Sequence, residues 1–149
     1  MKFYKITNEE ERHNGMQYQD GLNVDVVKFK PHGSCLSGGI YYSREDILAF
    51  LWCGVWLREV TIPEDARTYE DPDSDAKKWK SDKVILGPRR KITLDVIKEL
   101  VAEGADIHVD DDSPLRSASI CGNLELVKYL IEQGADENLI LHCDKYGEK

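Results

Sequence analysis

The chain has 149 residues, of which 41% are hydrophobic, and 28 acidic against 20 basic residues give it a formal net charge of -8. This size suits one compact domain, or a small domain with an appendage, that buries an ordinary core. The acidic balance disfavours a nucleic-acid partner, because phosphates would be repelled unless basic groups gathered on one face. No apolar run approaches the roughly 20 residues of a membrane-spanning helix, and no signal peptide is evident, so we expect an intracellular protein without a membrane partner.

Short stretches rich in β-branched and aromatic residues fill the first half of the chain and predict strands. They read KFYKI, VDVVKF, GGIYYS, VWLREVTI and KVILG. One short helix is predicted within SREDILAFLWCG, with Ser43 as its N-cap and Gly54 at its end. The segment 68–82 is polar and lacks an apolar period, so we expect an exposed loop in which Trp79 packs back on the body of the domain.

After Pro88 the pattern becomes helical. Apolar residues keep a helical spacing between Thr93, a predicted N-cap, and Gly104, and again between Asn123 and Gly134. The stretches KITLDVIKELVAEGAD (91–106) and GNLELVKYLIEQGAD (122–136) align at a fixed offset, so the sequence contains an internal repeat.

The segment SPLRSASICGN (113–123), ahead of the second copy, resembles the first helix of an ankyrin repeat, whose pattern is T-P-L-H-x-A followed by a Gly turn. Pro114 can begin a helix, Gly122 permits the tight turn, and Arg116 replaces the usual His. The segment 107–112 then corresponds to a shortened finger loop. Its HVDDD run (108–112) lacks the alternating spacing of a calcium loop, so we expect a solvated tip and no metal site.

The repeat divides the chain into an N-terminal module (1–88) and one and a half ankyrin-like repeats (89–149). The second part comprises a half repeat (91–106), a full repeat (113–138) and an incomplete tail (139–149). Because so few repeats cannot bury their apolar faces alone, we expect them to pack against the N-terminal module. The fold class is therefore α+β: a mixed or antiparallel β domain with one short helix, then α-helical repeats packed on it. The edge formed by 139–141 is a second candidate contact, through which the chain could self-associate.

The segment VKYLIEQGAD and the N-terminal module resemble ankyrin-repeat proteins of mimivirus-like giant DNA viruses of amoebae. The resemblance implies a non-enzymatic protein-binding module in the host cytoplasm or the virion, with an unidentified protein partner. Ankyrin surfaces bind through finger tips and the exposed side of the first helix. The corresponding residues are Asp110, Asp111, Asp112, Arg116, Ser117, Ile120 and Cys121. The acidic tip would suit a basic partner surface.

The strand order of the first half also resembles that of ADP-ribosyltransferases, and this is the alternative hypothesis: an NAD-binding, inactive domain with the repeats as a targeting arm. The positions matching the family's NAD-binding residues are Lys5, Tyr41 or Tyr42, and Lys83. Lys83 stands where the family has Glu, and a cation there would oppose an oxocarbenium-like transition state. We therefore predict no catalytic residues and no cofactor.

The four cysteines, Cys35, Cys53, Cys121 and Cys143, are scattered and include no C-x-x-C pair. This spacing suggests neither a disulfide framework nor a structural zinc site, so reduced thiols are expected.

Overall fold

The computed structural model describes residues 1–140, which form an antiparallel sheet followed by helices. The strands are β1 (Phe3–Thr7), β2 (Arg12–His13), β3 (Met16–Gln17), β4 (Gly21–Val24), β5 (Ile40–Ser43), β6 (Trp56–Thr61), β7 (Thr68–Glu70), β8 (Lys78–Ser81), β9 (Lys83–Leu86) and β10 (Arg90–Lys91). The helices are a 3-10 helix (Ile47–Phe50), α1 (Leu94–Glu103), α2 (Val109–Ile120) and α3 (Leu124–Glu132).

The main sheet has the strand order β4-β9-β6-β1-β5-β8-β7, with β10 paired to β6, while β2 and β3 form a separate hairpin. Strand β1 pairs with β6 over its whole length, from Phe3 opposite Val60 to Thr7 opposite Trp56. It pairs with β5 only where Tyr4 lies opposite Ser43. The two neighbouring strands therefore separate beyond this pair, and the sheet opens between them.

Four of the predicted strand segments are confirmed as β1, β5, β6 and β9. The strand predicted for VDVVKF is wrong, because β4 ends at Val24 and the chain turns immediately afterwards. The Asp25 carboxylate causes this turn by accepting hydrogen bonds from the backbone N–H groups of Val27 (3.1 Å) and Gly39 (2.8 Å). Val26 consequently lies 70% exposed.

The loop predicted for 68–82 is wrong in part, since it contains β7 and β8. Strand β8 was not predicted, because lysines occupy its buried positions. The Lys80 Nζ lies 5.6 Å from the centre of the Tyr41 ring and 5.4 Å from the centre of the Tyr69 ring. The expected packing of Trp79 is confirmed, because its ring contacts Phe3 and Tyr42.

The helix predicted after Ser43 is reduced to a single 3-10 turn. Ser43 is not its N-cap, because this residue ends β5 and its hydroxyl donates to the Lys77 carbonyl oxygen at 2.6 Å. Asp46 occupies the cap position without a capping hydrogen bond from its side chain.

The predicted limits of α1 and α3 are confirmed. The Thr93 hydroxyl accepts from the Val96 N–H at 3.3 Å, and Gly104 ends α1 with a φ of 117°. The Asn123 side chain accepts from the Leu126 N–H at 3.2 Å, and Gly134 follows α3 with a φ of 102°. Local capping chemistry thus fixes both helices.

The helices share one hydrophobic core with the sheet. The N-terminal module contributes Tyr4, Ile47, Leu48, Leu51 and Leu57, and the helical segment contributes Val96, Ile97, Leu100, Ala105, Ile107, Leu115, Ala118, Leu126, Leu130 and Ala135. Across the same boundary, the Tyr4 hydroxyl donates to the Glu103 carboxylate at 2.8 Å. Burial and this hydrogen bond raise the pKa of Tyr4 above its ordinary value.

The opposite face of the sheet covers a second, smaller core. It consists of Met16, Tyr18, Ile40, Tyr42, Val60, Val84 and Leu86, with Phe3, Ile62 and Trp79 packed against it. Because strand residues alternate between faces, the sheet separates this core from the one that contains the helices.

The expectation of reduced thiols is wrong for two of the cysteines, because Cys53 and Cys121 form a disulfide, with Cα atoms 5.8 Å apart. The bridge joins the segment after the 3-10 helix to the end of α2, across 68 positions of sequence. Such a bond depends on the tertiary fold, so the spacing of the cysteines in the sequence does not reveal it. Among the described residues, Cys35 is a free and exposed thiol, whereas Cys143 lies outside them.

Candidate functional site

The predicted partner-binding residues follow α2 from its start to its end. Asp110 and Asp111 are exposed at the tip, and Ile120 is 51% exposed at the other end of the helix. These three residues are accessible to a protein partner. They also combine the acidic and apolar chemistry that such a contact needs.

The acidic tip has an unusual backbone. Asp110, Asp111 and Asp112 all adopt left-handed conformations, with φ between 53° and 55°. The Arg116 guanidinium holds this segment by donating to the carbonyl oxygens of Asp110 (2.7 Å) and Asp111 (3.2 Å). Arg116 is therefore engaged in supporting the tip.

Asp112 also has a structural role. Its carboxylate contacts His108 Nδ1 at 2.6 Å and accepts from the Asp136 N–H at 3.1 Å. The first contact is charge-assisted only when His108 is protonated. Asp112 thus connects the tip to the turn after α3. Within residues 1–140, the carboxylates of Asp110 and Asp111 make no hydrogen bond or ion pair and are exposed.

Two of the predicted contact residues are unavailable in the form expected. Ser117 is only 5% exposed and lies at the boundary with the N-terminal module, in a pocket that Leu51 and Gly54 also line. Cys121 is exposed but bonded to Cys53. The corrected surface therefore excludes Ser117 and contains Cys121 as half of a disulfide.

Leu124 is the first of the apolar residues that keep a helical spacing between Asn123 and Gly134, and it is 77% exposed. It lies just beyond the Gly122 turn from Ile120, so two apolar side chains flank the connection between α2 and α3. The signal that could have revealed it was its position next to the Asn123 N-cap, where the first helical residue often points to solvent. Exposed apolar pairs of this kind are typical of contact surfaces.

The residues matched to an NAD site are only partly brought together. Lys5 donates from Nζ to the Tyr41 carbonyl oxygen at 2.7 Å, across the opening between β1 and β5. Burial and the Asp71 carboxylate raise the pKa of Tyr41 to about 12. Tyr42 points to the other face of the sheet, where its hydroxyl lies 2.6 Å from Ser81 Oγ.

Lys83 does not join them. It lies on β9, separated from β1 by β6, and its ammonium donates to Asp65 at 2.7 Å. The four residues therefore do not form one site. Lys5 also lines a second cavity, on the side away from β5, together with residues such as Tyr18 and Trp52. These residues were not predicted, because they come from loops without a recognisable motif.

Comparison with known proteins finds one family model that matches part of the helical segment. The family model described as ankyrin repeat matches residues 110–140, which cover most of α2 and all of α3. No solved structure matches the chain significantly. Within residues 1–140, no helix has the length and apolar character needed to cross a bilayer.

Relatives of the whole chain come from Acanthamoeba polyphaga mimivirus. "Putative ankyrin repeat protein R229" is 40% identical over 140 residues, which cover 85% of this chain and 46% of that protein. "Uncharacterized protein R869" is 36% identical over 133 residues, covering 87% of this chain and 96% of that protein. "Putative ankyrin repeat protein R868" is 34% identical over 135 residues, which cover 87% of this chain and 66% of that protein.

The chain belongs to this family of mimivirus proteins, several of which are named as ankyrin repeat proteins. It spans about half the length of the first of these relatives and nearly all of the second. The comparisons do not show the resemblance to ADP-ribosyltransferases.

Proposed function

We propose that the chain is a non-enzymatic protein-binding module of a virus, whose ankyrin-like segment contacts a viral or host protein. The match of residues 110–140 to the ankyrin repeat family carries this proposal, because ankyrin repeats present their finger tip and first helix to partners. In this division of roles, residues 1–88 form the module that supports the helices, and residues 89–149 provide the contact surface.

The proposed surface has an acidic part and an apolar part. The free carboxylates of Asp110 and Asp111 would attract a basic partner surface and speed association. Ile120 and Leu124, 51% and 77% exposed, would supply apolar area that a partner buries. A partner with basic residues beside an apolar patch fits both parts.

A charge-reversal experiment tests the acidic part. Full-length protein and the double variant Asp110→Lys/Asp111→Lys are used as baits in a lysate of infected amoebae, and captured proteins are quantified by mass spectrometry. We expect a partner retained by the unaltered chain to lose roughly tenfold or more in recovery on the variant. The tip's carbonyl contacts with Arg116 use the backbone, so the substitutions leave them in place.

The matched control is Glu9→Lys/Glu10→Lys, which makes the same change of charge at exposed residues of the N-terminal module. Capture should survive in this control. Equal capture by all three baits, or equal loss in both variants, would contradict the proposed surface.

A further inference from the structure

A cavity of about 350 Å³ lies beside β1, and no residue of β5 is among those that line it. Its walls are β1, the β2–β3 hairpin with the following Tyr18, and the segment 50–54 after the 3-10 helix. The volume lies within the range of about 300 to 1,000 Å³ that is usual for small-molecule sites.

The lining of this cavity is basic. Lys5 and Arg12 contribute positive charge to it, and no Asp or Glu is among its lining residues. This is unusual in a chain with a formal net charge of -8. His13 also lines it, but burial and the charge of Lys5 lower the pKa of its imidazole and favour the neutral form. A cavity that concentrates positive charge in an acidic protein selects for anions.

Lys5, on β1, is one of the residues that line this cavity. Its ammonium group donates to the Tyr41 carbonyl oxygen at 2.7 Å and lies 5.0 Å from the centre of the Tyr18 ring. An ammonium group has three donors, so this one hydrogen bond leaves capacity for a ligand. Burial, opposed by the charge of Asp25, lowers the pKa of Lys5 to about 8, and an anion beside the amine would favour its charged form.

Arg12 lies at the rim of the cavity, where hydrogen bonds fix its orientation. Its Nε donates to Gln17 Oε1 at 2.7 Å, and its backbone exchanges hydrogen bonds with Asn8. Within residues 1–140 these contacts leave the terminal guanidinium nitrogens without a hydrogen-bonding partner. Arg12 can therefore form the bidentate contact that guanidinium groups make with carboxylates and phosphates.

An exposed indole completes the wall. Trp52 is 67% exposed and has a φ of 20°, and the neighbouring Cys53 is also left-handed, with a φ of 58°. Non-glycine residues rarely adopt such conformations, and those that do concentrate at functional sites. The bond from Cys53 to Cys121 anchors this turn, which presents an aromatic surface at the cavity.

We propose that this cavity binds a small aromatic anion, with its carboxylate or phosphate against Lys5 and Arg12 and its ring against Trp52. A ligand of nucleoside monophosphate size matches the volume. The inference is independent of the protein-binding surface on α2. It concerns binding alone and includes no reaction.

Calorimetric titration of the full chain tests this proposal with four probes. AMP and indole-3-acetate carry both a ring and an anionic group, whereas adenosine and inorganic phosphate each carry one of the two features. We expect at least one aromatic anion to bind with a Kd below about 1 mM and roughly tenfold more tightly than either single-feature probe. Comparison of the Kd values of AMP and indole-3-acetate shows whether the cavity prefers phosphate or carboxylate.

Variants then locate the site. Lys5→Met should weaken binding of the aromatic anion by about tenfold. Arg12→Gln and Trp52→Ala alter exposed residues, so they test the site even if loss of Lys5 impairs folding; each should weaken binding by about threefold to tenfold. Two controls change residues outside the cavity. Lys2→Met removes a positive charge, as Lys5→Met does, and Leu22→Ala removes an exposed apolar side chain, as Trp52→Ala does. Both should leave the Kd unchanged.

The proposal is overturned if neither aromatic anion binds, or if adenosine or phosphate binds as tightly as the better of them. It is also overturned if Arg12→Gln and Trp52→Ala bind like the unaltered chain. An equal loss in the Lys2→Met control would assign the signal to nonspecific charge and overturn it as well.

Discussion

At the scale of single residues, the buried ion pair between Glu11 and Arg58 is the most consequential contact of the N-terminal module. Both side chains are 3% exposed, and two hydrogen bonds of 2.8 Å join the guanidinium to the carboxylate. The Thr7 hydroxyl donates to the same carboxylate at 2.7 Å. Breaking such a pair leaves a buried charge without compensation, so its members are costly to replace.

Replacing Glu11 by Gln should lower the free energy of unfolding by about 3 kcal/mol, because Arg58 would lose its buried counter-charge and keep only the exposed carboxylate of Asp20, 2.6 Å from Nη1. Denaturant unfolding at neutral pH measures this loss. The exposed pair Arg44–Glu45 provides the control, since Glu45→Gln should cost less than about 1 kcal/mol. Equal, small effects of both substitutions would show that the buried pair does not stabilise the fold.

The same carboxylate makes stability depend on pH. Burial alone would raise the pKa of Glu11, but the hydrogen bonds from Arg58 and Thr7 and the charges of Arg58 and Arg89 lower it overall. Its contribution is therefore complete above the unfolded pKa of about 4.3 and is lost as the pH falls through the lower folded value. The Glu11→Gln variant should lose less stability on acidification than the unaltered chain.

The residue-level predictions of the N-caps of α1 and α3 succeeded, because their cause is local. Thr93 and Asn123 are recognisable as caps because each bonds a backbone N–H three residues ahead. The contact between Lys5 and Tyr41, and the disulfide between Cys53 and Cys121, join residues far apart in sequence. No local pattern encodes such contacts, so the cavity beside Lys5 and the bridge could not be predicted.

At the scale of elements, the disulfide connects the turn after the 3-10 helix to the end of α2. Because the bond closes a loop with a sequence separation of 68, it restricts the unfolded chain strongly. Reduction, or the Cys121→Ser substitution, should lower the free energy of unfolding by about 4 kcal/mol.

Unfolding of the oxidised chain, the reduced chain and Cys121→Ser measures this effect. Cys35→Ser is the control, because Cys35 lies outside the disulfide and a serine hydroxyl can still accept the hydrogen bond that Lys78 Nζ donates to Sγ at 2.8 Å, so stability should change by less than about 1 kcal/mol. A Cys121→Ser chain as stable as the oxidised protein would contradict a stabilising role for the bridge.

Among the elements, helices α1 and α3 and strand β6 were easier to predict than β8. The first three show apolar periodicity with turn or cap signals at their ends. Strand β8 reads KWKS, and its lysines are buried because tyrosine rings of neighbouring strands cover their ammonium groups. When charged residues occupy the buried positions of a strand, its sequence lacks the apolar alternation from which strands are predicted.

At the scale of the whole molecule, the central claim is that the helices remain folded because they share a core with the sheet. Leu48 and Leu57 from the N-terminal module lie in one cluster with Ile97, Leu115 and Leu130 from the helices. Few stacked helices bury too little apolar surface to be stable alone, so the sheet supplies the surface that further repeats would supply elsewhere. The two parts should therefore unfold as one cooperative unit.

Denaturant unfolding followed by two signals tests this claim most directly. All three tryptophans, Trp52, Trp56 and Trp79, lie in the N-terminal module, so fluorescence reports on the sheet, while ellipticity at 222 nm reports mainly on the helices. The measurement is made on the Cys121→Ser chain, so that no covalent bond enforces cooperativity. The account predicts coincident transitions with one midpoint; loss of the helical signal at lower denaturant, with fluorescence unchanged, would contradict it.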